Sequence, residues 1–326
     1  MKICIYGAGA IGGWIGTAFA QAGERLNVVA RGATLAALQA DGLAVVRQGG
    51  ATQRVPVHAV DDPAALGPQD VVVIAVKAPA LAGVAERIGP LLGPDTVVLT
   101  AMNGVPWWFL DGGFGGPLAG RRLSAVDPEG RIAAAIPGRH VIGGVVHASC
   151  SLDAPGVVRH HFGNGLILGE PSGTPTERVQ RLAGLLQGGG IDARVSPQIQ
   201  KDVWYKLWGN MTVNPISALT GATTDRILAD DLLRGFISAV MLEARAVGER
   251  IGVPIAEMPE DRHAVTRKLG AFKTSMLQDV EAGRPVELDA LVSAVRELAQ
   301  GVDLPTPFTD ALLGLARVQA RGLGLY

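Results

Sequence analysis

One stretch of this chain, Trp204-Tyr205-Lys206-Leu207-Trp208-Gly209-Asn210-Met211-Thr212-Val213-Asn214-Pro215, carries a lysine and two asparagines at every fourth position. Ser196-Pro197 just upstream reads as a helix N-cap followed by a proline in the first turn, so the pattern predicts a helix from about Pro197 to Asn214. Lys206, Asn210 and Asn214 then share one face. The remaining circumference is mostly apolar or aromatic, and a helix apolar nearly all round is normally buried. An interior ammonium with amide neighbours is a group able to polarise a carbonyl or give it a proton. Patterning alone leaves a plainer reading open, in which Lys206 snorkels to solvent and the asparagines hold loops.

Such a group needs elements that bring it a reactant, and the N-terminus predicts one. Lys2 to Tyr6 is a short apolar strand, followed at once by Gly7-Ala8-Gly9-Ala10-Ile11-Gly12, a helical run to about Gly23 and a second strand, Leu26 to Ala30. This is the dinucleotide-binding fingerprint in its proper strand, turn and helix context. Gly7 permits the turn, Gly9 lets the backbone approach a pyrophosphate, and Gly12 lets helix and strand pack closely. The anion would rest on the helix N-terminus. Arg31 closes the second strand where an NAD site would place Asp or Glu, so it predicts a partner for a 2′-phosphate and hence NADPH as cofactor; a solvated loop arginine is the alternative.

Further along, a helix is predicted over 33–41, and 43–47 with 53–60 read as a hairpin joined through Gly49-Gly50. Two buried parallel strands follow, 70–77 ending in Lys77 and 95–102 ending at Asn103-Gly104, and ligands of open α/β sheets bind beyond such ends. Asn103 before glycine is also a common turn pair. Residues 106–139, with Trp107-Trp108-Phe109 and a glycine-rich run, could form a lid or a core plug. Segments 141–149, 156–162 and 166–170 are strand-like, and a helix over 175–186 and a strand over 193–196 lead back to the Lys206 helix. Thereafter the period is helical, over 231–251, 261–281, 286–300 and 307–321. The predicted fold is α/β, a Rossmann-type doubly wound sheet over 1–196 followed by an all-helical domain over 197–326 for substrate and dimerisation.

Composition bounds the function. The 326 residues are 48% apolar with a net charge of -1 and mean hydropathy of +0.27, which fits a packed globular protein with no electrostatic footprint for nucleic acid or an anionic membrane. The N-terminus superficially resembles a signal peptide, but five glycines between positions 7 and 16 suit a phosphate loop better. No apolar run approaches the roughly 20 residues that span a membrane. Cys4 and Cys150 form no metal or redox spacing, so no metal is expected and a reducing cytoplasm is the default. An apolar helical domain is compatible with a homodimer.

Ser275 and Glu287 flank the Gly283-Arg284-Pro285 turn, which folds two helices so that both side chains could face one cleft. The order Gly7 to Gly12, Lys77, Asn103-Gly104, Lys206-x3-Asn210-x3-Asn214-Pro215, Ser275-Met276-Leu277-Gln278-Asp279 and Glu287 resembles the ketopantoate reductases over essentially the whole chain. That resemblance implies NADPH-dependent reduction of 2-dehydropantoate to (R)-pantoate. It implies Lys206 as general acid and carbonyl polariser, Asn103 beside the reacting oxygen and in reach of the cofactor, and Glu287 completing the proton network. Ser275, Asn210 and Asn214 would hold the carboxylate and hydroxyl of the 2-keto acid substrate, with Lys77 near the nicotinamide ribose. The chain departs from the family's pattern at Thr223-Thr224, where another asparagine is usual, and at Trp107-Trp108. Both motivate the near alternative of a reductase for another bulky 2-keto acid. A different class, a non-catalytic NADPH-sensing regulator, is disfavoured by Lys206 and Glu287 occurring together.

Overall fold

The computed structural model describes residues Met1–Tyr326. Two compact units are formed, residues 1–102 with 131–199, and residues 103–130 with 200–326. This division differs from the 1–196 and 197–326 expectation chiefly over 103–130. In that segment Trp107, Trp108, Phe109, Leu110 and Leu118 are all buried, and the Phe109 ring stacks on Trp204 with centroids 5.9 Å apart. The tryptophan cluster is therefore a core plug and not a lid.

In the first unit the chain runs β1 (Lys2–Tyr6), α1 (Ala10–Gln21), β2 (Arg25–Val29), α2 (Gly32–Asp41), β3 (Leu43–Val46), β4 (Thr52–Val55), β5 (His58–Val60), β6 (Gln69–Ile74), α3 (Leu81–Ala85) and β7 (Leu92–Thr100). It returns after the excursion as α4 (Arg131–Ala135), β8 (Val141–Ala154), β9 (Val157–Gly169), α5 (Glu177–Gly188) and β10 (Asp192–Val195). The strands form one mixed sheet in the order β4-β3-β9-β8-β7-β6-β1-β2-β5, with β10 beside β9. Its parallel part, β5-β2-β1-β6-β7, continues into β8, which pairs antiparallel with β9. Helix α1 is buried continuously from Gly12 to Phe19 and touches β1 and β2 as well as β3, β8 and β9, so the sheet curls around it. Ile3, Ile5, Ile15, Phe19, Val73, Leu99 and Leu168 meet in this core, each contributing about 1.5–3 kcal/mol by leaving water.

Three expectations change here. The predicted strand over 53–60 breaks at Pro56, which has no amide to donate, so that β4 pairs with β3 and β5 with β2. Segments 156–162 and 166–170 are one strand, β9, which accommodates Gly163 at φ +73 near a register shift. Strand β6 ends at Ile74, and Lys77 instead caps a 3-10 turn over Ala78–Ala80.

The second unit holds α6 (Ile199–Thr220), α7 (Thr224–Ala229), α8 (Asp231–Ile251), α9 (Pro259–Arg267), α10 (Ser275–Glu281), α11 (Ala294–Gly301) and α12 (Pro307–Gly322). Helix α6 runs past the predicted stop at Asn214 because Pro215 lies inside it. Met211, Val213, Ile216 and Ala218 are buried on both sides of the proline, and that packing offsets the lost backbone bond. The predicted helix over 261–281 is two, α9 and α10. Gly270 turns the chain at φ +63, and Thr274 caps α10 by accepting from the Leu277 amide at 3.3 Å. Ahead of α11, residues Asp289–Ser293 form a π-helical turn.

Candidate active site

Helix α6 presents Lys206 with Asn210 and Asn214 on the face its spacing dictates. Lys206 is partly buried and its Nζ donates to Asn103 Oδ1 at 2.8 Å. Asn103 is held there by its turn. Gly104 adopts φ +83, and a Cβ placed on it would come within 2.6 Å of the Ala290 carbonyl oxygen and Cβ. The Val105 amide donates to that same Ala290 oxygen at 2.8 Å. Ala290 belongs to the π turn that begins just after Glu287, and such turns recur at functional sites. Asn103 and Glu287 are thereby fixed to one support.

Glu287 is 5% exposed. Burial pushes the Lys206 ammonium down to about 8, the Glu287 carboxylate acts to raise it, and the Arg262 guanidinium acts to lower it. A lysine poised near neutrality beside a carboxylate can give up a proton and recover it, as general acid catalysis requires.

Asn214, buried, donates to Ser275 Oγ at 3.5 Å, a long contact. Ser275 is the first residue of α10, and Asn210 is partly exposed with no hydrogen bond from its amide to the protein. The three form a patch of neutral donors and acceptors on the Lys206 side of α6.

Arg262 was invisible to sequence reasoning. It lies on α9 within Glu260-Asp261-Arg262-His263, which reads as a solvated charged face. Its guanidinium instead lies against α6, so that a Cβ on Gly209 would sit 2.6 Å from both Nε and Nη2, and its Cζ lies 5.7 Å from the centroid of the Tyr205 ring. The trace that could have exposed it is Gly209 itself, since glycine within a long helix needs a reason such as close approach.

Within the first unit, Gly7 turns at φ +98 and a Cβ on Gly12 would sit 2.1 Å from the Gly7 carbonyl oxygen. At Gly9 a Cβ would project into open space. The amides of Ala10, Ile11 and Gly12 precede the first bond of α1, from Gly13 N to Gly9 O at 2.8 Å. Free helix-terminal amides beside an open, side-chain-free backbone can take a pyrophosphate. Ala8 is buried behind the turn, Arg31 is exposed at the start of α2, and Lys77 is exposed after β6, the neighbour of β1. These residues fit a dinucleotide.

Comparison with known proteins agrees over the whole chain. Residues 3–173 match the family described as "Ketopantoate reductase PanE/ApbA" and residues 198–320 match its C-terminal domain. The chain belongs to the ketopantoate reductase family. A 2-dehydropantoate 2-reductase of Mesorhizobium japonicum is 49% identical over 100% of both chains. A crystal structure from Ralstonia solanacearum MolK2, assigned to the ketopantoate reductases, superposes with a TM-score of 0.95 at 58% identity, covering 100% of this chain and 99% of the other. The 2-dehydropantoate 2-reductase of Geobacter metallireducens GS-15 is 27% identical with a TM-score of 0.84, over 98% of this chain and 100% of its own.

The two departures from the ketopantoate reductase pattern have structural explanations. The Thr224 hydroxyl is spent on the Gly270 carbonyl at 2.7 Å and its amide on Phe272 O at 3.0 Å, which ties down the turn between α9 and α10. Trp107 and Trp108 are core residues. Neither offers a group to a substrate, so the motive for a different bulky keto acid weakens.

Proposed function

We propose that this chain catalyses the NADPH-dependent reduction of 2-dehydropantoate (ketopantoate) to (R)-pantoate, a step toward pantothenate and coenzyme A. The observation that carries this reading is the Lys206 ammonium, oriented by Asn103 at 2.8 Å and acted on by buried Glu287, in a chain of this family. When bound, the reduced nicotinamide supplies the hydride. The remaining work falls to this chain's side chains. Lys206 holds a proton at Nζ and aims it at the ketone oxygen, where negative charge grows as the carbonyl carbon is reduced. A preorganised cationic donor stabilises that charge most in the transition state. Asn103 fixes one Nζ hydrogen and so leaves the others directed at the substrate. Glu287 favours the protonated amine. Asn210, Asn214 and Ser275 bind the substrate's oxygen substituents.

In this reading Gly7, Ala8, Gly9, Ala10, Ile11 and Gly12 hold the pyrophosphate, Lys77 lies toward the nicotinamide ribose, and Arg31 takes the 2′-phosphate that distinguishes NADPH from NADH. Both cysteines are free, in keeping with a reducing cytoplasm as the compartment, and no helix is long and apolar enough to cross a membrane. A homodimer is proposed on Leu232, Leu315 and Val318, exposed apolar side chains of α8 and α12. Sedimentation velocity showing a monomer at micromolar concentration would remove it.

NADPH oxidation by the purified protein across ketopantoate and several other 2-keto acids tests the main reading. The highest kcat/KM is expected for ketopantoate. Slow turnover of ketopantoate beside a fast competitor would transfer the assignment to that acid, and binding of NADPH with no turnover of any would leave the regulator.

A further inference from the structure

The short segment that carries Glu287 is held from two sides. One hold is the Asn103-Gly104 turn, through the Val105 amide on Ala290 O at 2.8 Å. The other comes from the residues after α12. There Gly324, at φ +69, ends the helix with a left-handed stop, in which its amide donates to Arg321 O at 3.0 Å and the Leu325 amide to Ala320 O at 2.8 Å. Leu325 is buried in consequence. Its carbonyl accepts from the Val286 amide at 3.1 Å, one residue before Glu287. The Tyr326 hydroxyl donates to Asp289 Oδ1 at 2.6 Å, two residues after Glu287. That same oxygen accepts from Ser293 Oγ at 2.9 Å, so the phenol closes onto the first and last residues of the π turn.

The Tyr326 ring is 41% exposed and lies 5.3 Å from Arg321 Cζ, so it adds little to the core. Its hydroxyl is nevertheless committed to a turn of a rare kind, which persists where its surroundings hold it. We propose that Leu325 and Tyr326 are positioning residues for the proton step, which act by holding the Glu287 carboxylate at its place in the site. This rests on the reductase reading and deepens it. The charged groups acting on Lys206 are Glu287 and Arg262, so the pair reaches the ammonium through Glu287. Burial first and then Asp289 push the Tyr326 phenol up, against Ser293 and Arg317, and it stays a donor through the neutral and mildly alkaline range.

The test compares Tyr326→Phe, Asp289→Ala, Asp289→Asn, Gly324→Ala and the double variant Tyr326→Phe/Asp289→Ala with the parent enzyme. Steady-state reduction of ketopantoate gives kcat and its alkaline limb. Competitive labelling of Lys206 with trace acetic anhydride across pH, read by mass spectrometry, gives the same titration without turnover. Tyr326→Phe deletes one hydroxyl and is expected to lower kcat about fivefold with KM for NADPH unmoved, since a small displacement near the reacting atoms costs rate. The limb and the labelling midpoint should both move to lower pH, the direction in which a weakened Glu287 leaves Lys206. Asp289→Asn keeps an oxygen for both hydroxyls and should fall between the parent and Asp289→Ala. The double variant should be no worse than Asp289→Ala alone, because both changes remove one bond. In Gly324→Ala the added carbon meets no atom within 4 Å but must bear the left-handed φ, which disturbs the Leu325 and Tyr326 ties together and should give the same signature, at least as large. A lower Tm with kcat, limb and midpoint all unmoved would make the pair structural props and overturn the proposal, as would additive losses in the double variant. A chain that reduces no 2-keto acid, yet whose Lys206 midpoint falls in Tyr326→Phe, would defeat the proposed reaction and leave this inference standing; an unmoved midpoint beside normal parent turnover would do the reverse.

Discussion

At the scale of single residues the proposed reaction turns on one proton. With Lys206 lowered to about 8 by burial, the fraction able to donate falls as pH rises past that value, so kcat/KM for reduction should show an alkaline limb near pH 8 and alcohol oxidation the opposite dependence. The groups that set it are Glu287, which raises it, and Arg262, which lowers it. Glu287→Gln is therefore expected to move the limb to lower pH; a limb that stays in place or moves up would remove Glu287 from the proton network. Lys206→Ala should lower kcat by roughly 10² or more with NADPH affinity nearly intact. The same shift has a stability consequence. Because the folded amine is harder to protonate than the unfolded one, the unfolded chain binds more protons between pH 8 and 10.5, and stability rises with pH across that window. Below it the buried charge is carried at a cost, so Lys206→Met should raise Tm at pH 7 by roughly 1–3 °C while abolishing turnover. An unchanged or lower Tm would mean that the Asn103 bond outweighs desolvation.

At the scale of elements, the weight falls on the junction between the Asn103-Gly104 turn and the π turn over Asp289–Ser293. Gly104→Ala must bear both a left-handed φ and a collision with the Ala290 backbone, costing about 2–4 kcal/mol, and it displaces Asn103 from Lys206. Gly113→Ala is the control, with φ +82 and no atom within 4 Å of the added carbon. Tm for Gly104→Ala should lie roughly 3–6 °C below the parent and kcat about tenfold down, with the control losing stability only. Equal behaviour of the two variants would show that the contact with Ala290 holds nothing in place. This junction also marks what the sequence could tell. Lys206, Asn210 and Asn214 were legible because a helix fixes which residues share a face, and the glycine turn because its strand and helix are adjacent in the chain. The π turn, the split of 261–281 at Gly270 and the continuation of α6 through Pro215 were not, since each is decided by packing against residues far away in sequence. Arg262 was hidden for the same reason, its partner Gly209 being on another helix.

At the scale of the whole molecule, residues 103–130 group with the helical unit, a division that differs from a boundary at 196. Composition left a lid and a core plug both open for this segment, and the Trp107 to Leu110 run is buried within the second unit. Glu297 binds the segment as well, accepting from the Ser124 and Ala125 amides at 2.7 Å each, a contact that no local pattern foretells. Cofactor choice can be read from global stability without any turnover. A ligand at 100 times its Kd stabilises the folded chain by about 2.7 kcal/mol, which for a protein of this length is a rise of roughly 4 °C in Tm. NADPH at a fixed concentration should give a larger rise than NADH if Arg31 meets the 2′-phosphate. Arg31→Ala should then reduce the NADPH rise to that of NADH and leave the NADH rise almost unaltered, because only NADPH carries the additional charge for the guanidinium to lose. Equal loss with both nucleotides would instead make Arg31 part of the general fold of the α2 N-terminus, where its backbone already sits in the N-cap position, and would transfer the choice between the two cofactors to other residues.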